Sequence, residues 1–90
     1  MPTLYSRNTK VEAAPMKDET ILFNPGNNKF CELNVTAALI WQVLEQPKSV
    51  SEITAALIDK FHNTDCIQVE KDVLQVLDLL RNIECVVVVA

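Results

Sequence analysis

At Asn34 the apolar pattern of this 90-residue chain changes period. Before that point hydrophobic residues come in short runs separated by turn formers; after it they recur every three to four positions almost to the end. A side-chain period of two belongs to strands and one near 3.6 to helices, so a strand-rich opening must pack against a helical remainder. Charge divides at the same place. Residues 1–34 hold four basic and four acidic side chains, and residues 35–90 hold four basic and eight acidic ones, so the net charge of −4 resides wholly in the helical part. No repeat or low-complexity tract interrupts this division.

Three strands are expected before the break. Lys10–Ala14 is a weak one, ended by Pro15, and Thr20–Phe23 is a stronger one, rich in β-branched and aromatic residues. Asn24-Pro25-Gly26-Asn27-Asn28 is a turn, because proline presets φ while glycine and asparagine tolerate positive φ. Lys29–Leu33 is then the returning strand of a hairpin, and such a small sheet keeps at least one open edge.

Beyond the break, Asn34 is an N-cap for a helix over Val35–Glu45, with Leu39, Ile40, Val43 and Leu44 on its core face and Trp41 off it, either bridging helix and sheet or belonging to an exposed contact patch. Gln46-Pro47-Lys48 ends that helix. Ser49-Val50-Ser51-Glu52 is a capping box opening a second helix to about His62, with Ile53, Ala56, Leu57 and Phe61 buried. After the polar loop Asn63-Thr64-Asp65, the spacing predicts a third helix over Val69–Asn82, with a core stripe of Val69, Val73, Val76, Leu77 and Leu80. Val86–Val89 closes the chain as a short β run. The order β-β-β-α-α-α-β describes an α+β, winged-helix-like domain: a three-stranded N-terminal sheet, a three-helix bundle and a short C-terminal strand. Residues 1–19 are its N-terminal arm and weak first strand, and residues 20–90 the domain proper.

Composition removes several function classes. At 49% hydrophobic and 22% charged the chain is too apolar for disorder and large enough for one modest core. The segment Glu70–Glu84 sets Glu70, Asp72, Asp78 and Glu84 against Lys71 and Arg81, which would repel a phosphate backbone, so no nucleic-acid partner is expected. The longest apolar run, Cys85–Ala90, is far short of the roughly 20 residues of a membrane span. MPTLYSRNTK has no apolar signal core, which points to the cytoplasm. Three cysteines (Cys31, Cys66, Cys85) at wide spacing match neither a metal site nor a disulfide framework and read as small core residues. The lone His62 reads as a helix-end residue, and a single glycine excludes a glycine-rich phosphate cradle. No catalytic residues, metal or cofactor are expected.

Two surfaces remain. The open edge of the third strand offers the backbone of Lys29, Phe30, Cys31 and Glu32 to another strand. Beside the core stripe of the third helix run Asp72, Gln75, Leu79 and Ile83, with Val76 at the boundary. A strand edge next to a semi-apolar helical flank forms a groove for an extended peptide, where backbone pairing supplies affinity and the helix reads alternate side chains. Lys29, Phe30, Cys31 and Glu32 are the expected pairing residues, and Asp72, Gln75, Val76 and Leu79 the expected readers. The alternative is an interaction scaffold whose flank packs on its own sheet, or a homodimer joined through Val86–Val89.

The segments Ile21-Leu22-Phe23-Asn24-Pro25, Phe30-Cys31-Glu32-Leu33-Asn34-Val35-Thr36-Ala37-Ala38-Leu39-Ile40-Trp41, Ser49-Val50-Ser51-Glu52-Ile53 and Val69-Glu70-Lys71-Asp72-Val73-Leu74-Gln75-Val76-Leu77-Asp78-Leu79-Leu80 together resemble the PqqD family, over about residues 20–90. The resemblance implies a peptide chaperone of ribosomally made, post-translationally modified peptides. Such domains bind a precursor's leader as an added strand beside the third strand, against the third helix, and present the core to a modifying enzyme. That enzyme is a radical SAM protein in pyrroloquinoline quinone synthesis; in lasso-peptide systems a similar subunit serves a leader peptidase. Two departures stand out: Gln46-Pro47-Lys48 replaces an Asp-Gly-like turn, and Asn82-Ile83-Glu84-Cys85-Val86 replaces a Gly-Leu-Ile-like step, with Asn82 expected in the left-handed conformation. The acidic third helix implies leaders with Lys or Arg opposite Asp72.

Overall fold

The computed structural model describes residues 3–15, 19–62 and 65–89. Its elements are β1 (Tyr5–Arg7), β2 (Glu12–Pro15), β3 (Thr20–Asn24), β4 (Lys29–Leu33), α1 (Val35–Val43), α2 (Val50–Phe61), α3 (Cys66–Asn82) and β5 (Val86–Val88). They form a mixed α+β domain: a three-stranded antiparallel sheet in the order β2-β3-β4, three helices, and a short C-terminal strand. The segment Tyr5–Arg7, for which the sequence pattern predicts no strand, pairs antiparallel with β5 as a second sheet. Tyr5 also exchanges backbone hydrogen bonds with Lys48, so β1 ties the C-terminal strand to the linker between α1 and α2.

Local signals set most boundaries. Asn34 Oδ1 accepts from the Ala37 amide at 2.9 Å and starts α1. At α2 the capping box is complete: Ser49 Oγ accepts from Glu52 N and Glu52 Oε1 accepts from Ser49 N. His62, at φ 55, closes that helix in the left-handed region. The α3 helix begins at Cys66, three residues before the expected Val69, because Asp65 Oδ1 accepts from Gln68 N and caps it there. The expected loop residues Asn63 and Thr64 lie outside the described residues.

The core joins Leu22 and Leu33 of the sheet to Ile40 and Leu44 of α1, Ile53 and Leu57 of α2, Val73, Leu77 and Leu80 of α3, and Cys85 and Val86. Several burial expectations need correction. Leu39 and Val43 are only half-buried, while Trp41 is 6% exposed and belongs to the core, which excludes an exposed contact patch there. The Arg7 guanidinium of β1 lies 4.8 Å from the Trp41 ring centroid and donates from Nε and Nη2 to the Trp41 carbonyl. Phe61 is exposed, and Thr54 instead is buried, its hydroxyl without a hydrogen-bond partner among the described residues. Of the three cysteines only Cys85 is fully buried; Cys31 is half-buried, and Cys66 is exposed at the start of α3.

The turn between β3 and β4 does more than reverse the chain. Asn28, not Gly26, takes the positive φ of 57. Asn24 is 2% exposed and donates from Nδ2 to the carbonyls of Ile83 and Glu84, at 3.2 and 3.1 Å. Asn27 Nδ2 reaches Ile83 O, and Asn8 Nδ2 reaches Glu84 O. These carbonyls belong to the end of α3, which closes by bonds from Cys85 N to Leu80 O and from Glu84 N to Arg81 O, a Schellman arrangement. Its left-handed residue is Glu84, at φ 59, and not the expected Asn82. Three asparagine amides thus fasten the hairpin and the β1 exit to the end of α3.

Candidate functional site

That clamp orients the candidate site. The Lys29 end of β4 is held near Ile83, and at its other end Asn34 lies beside Asp72, Gln75 and Val76 around one cavity. The β4 strand therefore runs antiparallel to α3, from the C-terminal end of the helix back toward its first turns. One side of β4 pairs with β3, in the register Leu22↔Cys31 and Phe23↔Phe30. Its other side has no strand partner among the described residues.

Alternation along β4 sorts the pairing candidates. Cys31 and Leu33 share the inner face with Leu22, while Phe30 and Glu32 point outward. Phe30 is 70% exposed and stacks obliquely on Phe23 at 4.6 Å between centroids. Burial pushes the Cys31 thiol above its ordinary pKa, so it sits in the strand as a neutral, weakly polar side chain. Lys29 is exposed at the turn end.

On α3, Asp72, Gln75 and Val76 come together against Asn34 and Thr36 around a cavity of about 270 Å³. Val76 is half-buried against the core, and Asp72 Oδ1 accepts from Gln68 Nε2 at 3.0 Å. Leu79 lies one turn further along, 53% exposed and outside that cavity. A second cavity of about 460 Å³ adjoins the first through Thr36 and Asp72 and is lined also by Leu57, Phe61 and Val69. These lining residues come from three different helices, and no pattern within any one of them signals a pocket; helical spacing alone places Phe61 inside the core. The arrangement can hold an extended segment by main-chain pairing, with side chains entering the two cavities. Among the described residues no group of three or more His, Cys, Asp or Glu side chains is placed to hold a metal ion.

Comparison with known proteins bears on the family and the fold. None of the curated proteins matches the chain. Among solved structures, the chain described as TbiB1 in complex with the TbiA(beta) leader peptide superposes with a TM-score of 0.80 at 27% identity, covering 90% of this chain and 93% of that one. A second, described as lasso peptide synthetase B1 complexed with the leader peptide, gives a TM-score of 0.76 at 18% identity, covering 92% of this chain and 96% of that one; at that identity it supports the fold alone. The family model for coenzyme PQQ synthesis protein D matches residues 19–86, the span that contains the hairpin, all three helices and the clamp asparagines Asn24 and Asn27. The chain belongs to the PqqD family.

Proposed function

We propose that this chain is a non-catalytic peptide chaperone. It binds the leader of a ribosomally synthesised precursor along β4 by strand addition and presents the rest of the precursor to a modifying enzyme, such as a radical SAM protein or a leader peptidase. The carrying observation is the unpartnered β4 edge beside the Asp72–Val76 cavity, in a PqqD-family chain 27% identical to one solved with a leader peptide. Lys29, Phe30, Cys31 and Glu32 supply the main-chain pairing, and Asp72, Gln75, Val76 and Leu79 read alternate side chains. The winged-helix-like order of the helices serves a peptide here rather than DNA, and the cytoplasm, where precursors are made, is its place of work. The scaffold reading is not favoured, since the PqqD-family match and the likeness to a chain solved with a leader peptide support leader binding.

The test is an NMR titration of isotopically labelled protein with candidate leader peptides from the same genome. Shifts confined to residues 29–33 and 72–83 support strand addition at this groove. A folded, monomeric protein that shows no shifts with any of them overturns the reading.

A further inference from the structure

The two cavities that share Asp72 differ in character from the hairpin end of the groove. At the hairpin end lie Leu79, more than half exposed, and the half-buried Ile83 and Cys31. At the end where β4 passes into α1, Asp72 lines both cavities and forms their shared wall with Thr36. Glu32 stands on β4 just before this point. Among the described residues, no lysine or arginine nitrogen comes within ion-pair reach of Asp72 or Glu32. The single bond to Asp72 is from the neutral Gln68 amide, to Oδ1. The N-terminus of α1 also opens here, but the amide of Ala37 is occupied by the Asn34 side chain. Asp72 walls both cavities with no cation within ion-pair reach among the described residues, so an opposite charge brought by a ligand is favoured there.

From this asymmetry we infer that the peptide held in the groove is cationic at one end: a lysine or arginine lies beside Asp72, where β4 gives way to α1, and apolar side chains lie beside Leu79 and Ile83. The inference rests on the leader-binding reading and narrows it to leaders of one charge pattern. A peptide bearing the cation at the hairpin end instead would face Lys29 and leave Asp72 uncompensated. An ion pair at a half-exposed position changes affinity by about 1.5- to 5-fold, enough to bias selection among otherwise similar segments.

The test does not require the natural leader. A library of random 16-residue peptides displayed on phage is selected against the folded protein, and in parallel against Asp72→Lys and Asp72→Asn, each checked by circular dichroism. The expected result is a consensus with Lys or Arg at a fixed distance from apolar positions, weakened in Asp72→Asn and replaced by Asp or Glu in Asp72→Lys. Synthetic consensus peptides should then lose about 1.5- to 5-fold in affinity on replacing that cation with glutamine. A consensus without a basic position, or one unchanged by Asp72→Lys, overturns the inference and leaves peptide binding standing. Failure to select any peptide against folded protein overturns both.

Discussion

Asn24 is the side chain on which the geometry between β4 and α3 depends most directly, and its removal has a calculable cost. Its amide makes three hydrogen bonds: Nδ2 to Ile83 O and Glu84 O, and Oδ1 from Gly26 N at 2.9 Å. Asn24→Ala removes all three from a residue that is 2% exposed. The two carbonyls keep one partner each, Asn27 Nδ2 at 3.0 Å and Asn8 Nδ2 at 2.8 Å, so neither is orphaned. At about 1 kcal/mol net per bond the loss is about 2–3 kcal/mol. In a domain of this size that lowers Tm by about 10–20 °C. Thermal unfolding followed by circular dichroism measures it. Asn24→Asp keeps the bond from Gly26 but turns a carboxylate toward two carbonyl oxygens. Its introduced carboxyl therefore has a raised pKa in the folded state, and the destabilisation should ease as pH falls through that value. A Tm loss below about 3 °C for Asn24→Ala would mean that water replaces the clamp at no cost, and would refute the argument.

Three further expectations follow from single residues. Glu84 occupies the left-handed region at φ 59 on an exposed turn, so Glu84→Gly should stabilise by about 0.5–1 kcal/mol, read as a higher Tm; an unchanged or lower Tm contradicts the backbone argument. The amide of Ser49 beside the Glu52 carboxylate holds its pKa below the ordinary glutamate value, so its contribution is present above that value and lost as pH falls through the lowered one. The Tm gap between wild type and Glu52→Gln should accordingly be open at pH 7 and narrow as the pH falls below the ordinary glutamate value. Burial, with the nearby Cys31, pushes the Cys85 thiol up to about 11, whereas Cys66 is exposed. Iodoacetamide at pH 8 should modify Cys66 within minutes and spare Cys85 until the protein unfolds, as peptide mass mapping will report.

The helices were legible because their signals are local. Asn34, Ser49 with Glu52, and Pro47 act within one turn, and the α3 stripe of Val69, Val73, Leu77 and Leu80 is buried as its spacing requires. The β3–β4 hairpin was legible for the same reason, through turn chemistry between two β-favouring runs. Tyr5–Arg7 was not, because a three-residue strand carries too little pattern and is defined by its partner, some 80 positions away. Helical periodicity alone does not settle Trp41, which lies off the apolar stripe of α1 yet is buried in the core and contacts Arg7 from outside the helix. At the candidate site, Asp72, Gln75 and Val76 do share a cavity, yet Asn34, Thr36, Leu57 and Phe61 had no signal, since their proximity arises from helix packing.

Sequence alone determined what each segment is: where helices start and stop, which stripe they bury, that the third helix is acidic, and that one strand is left with an open edge. These are consequences of interactions within about four residues. Tertiary structure alone decided how the pieces face one another. Glu84 rather than Asn82 adopts the left-handed turn because the carbonyls around it are gripped by Asn8, Asn24 and Asn27. That grip sets β4 antiparallel to α3 and brings Asp72 to the wall of both cavities. Contacts across 50 to 80 residues carry no local periodicity, and they exist only once the chain has closed the loops that bring them together.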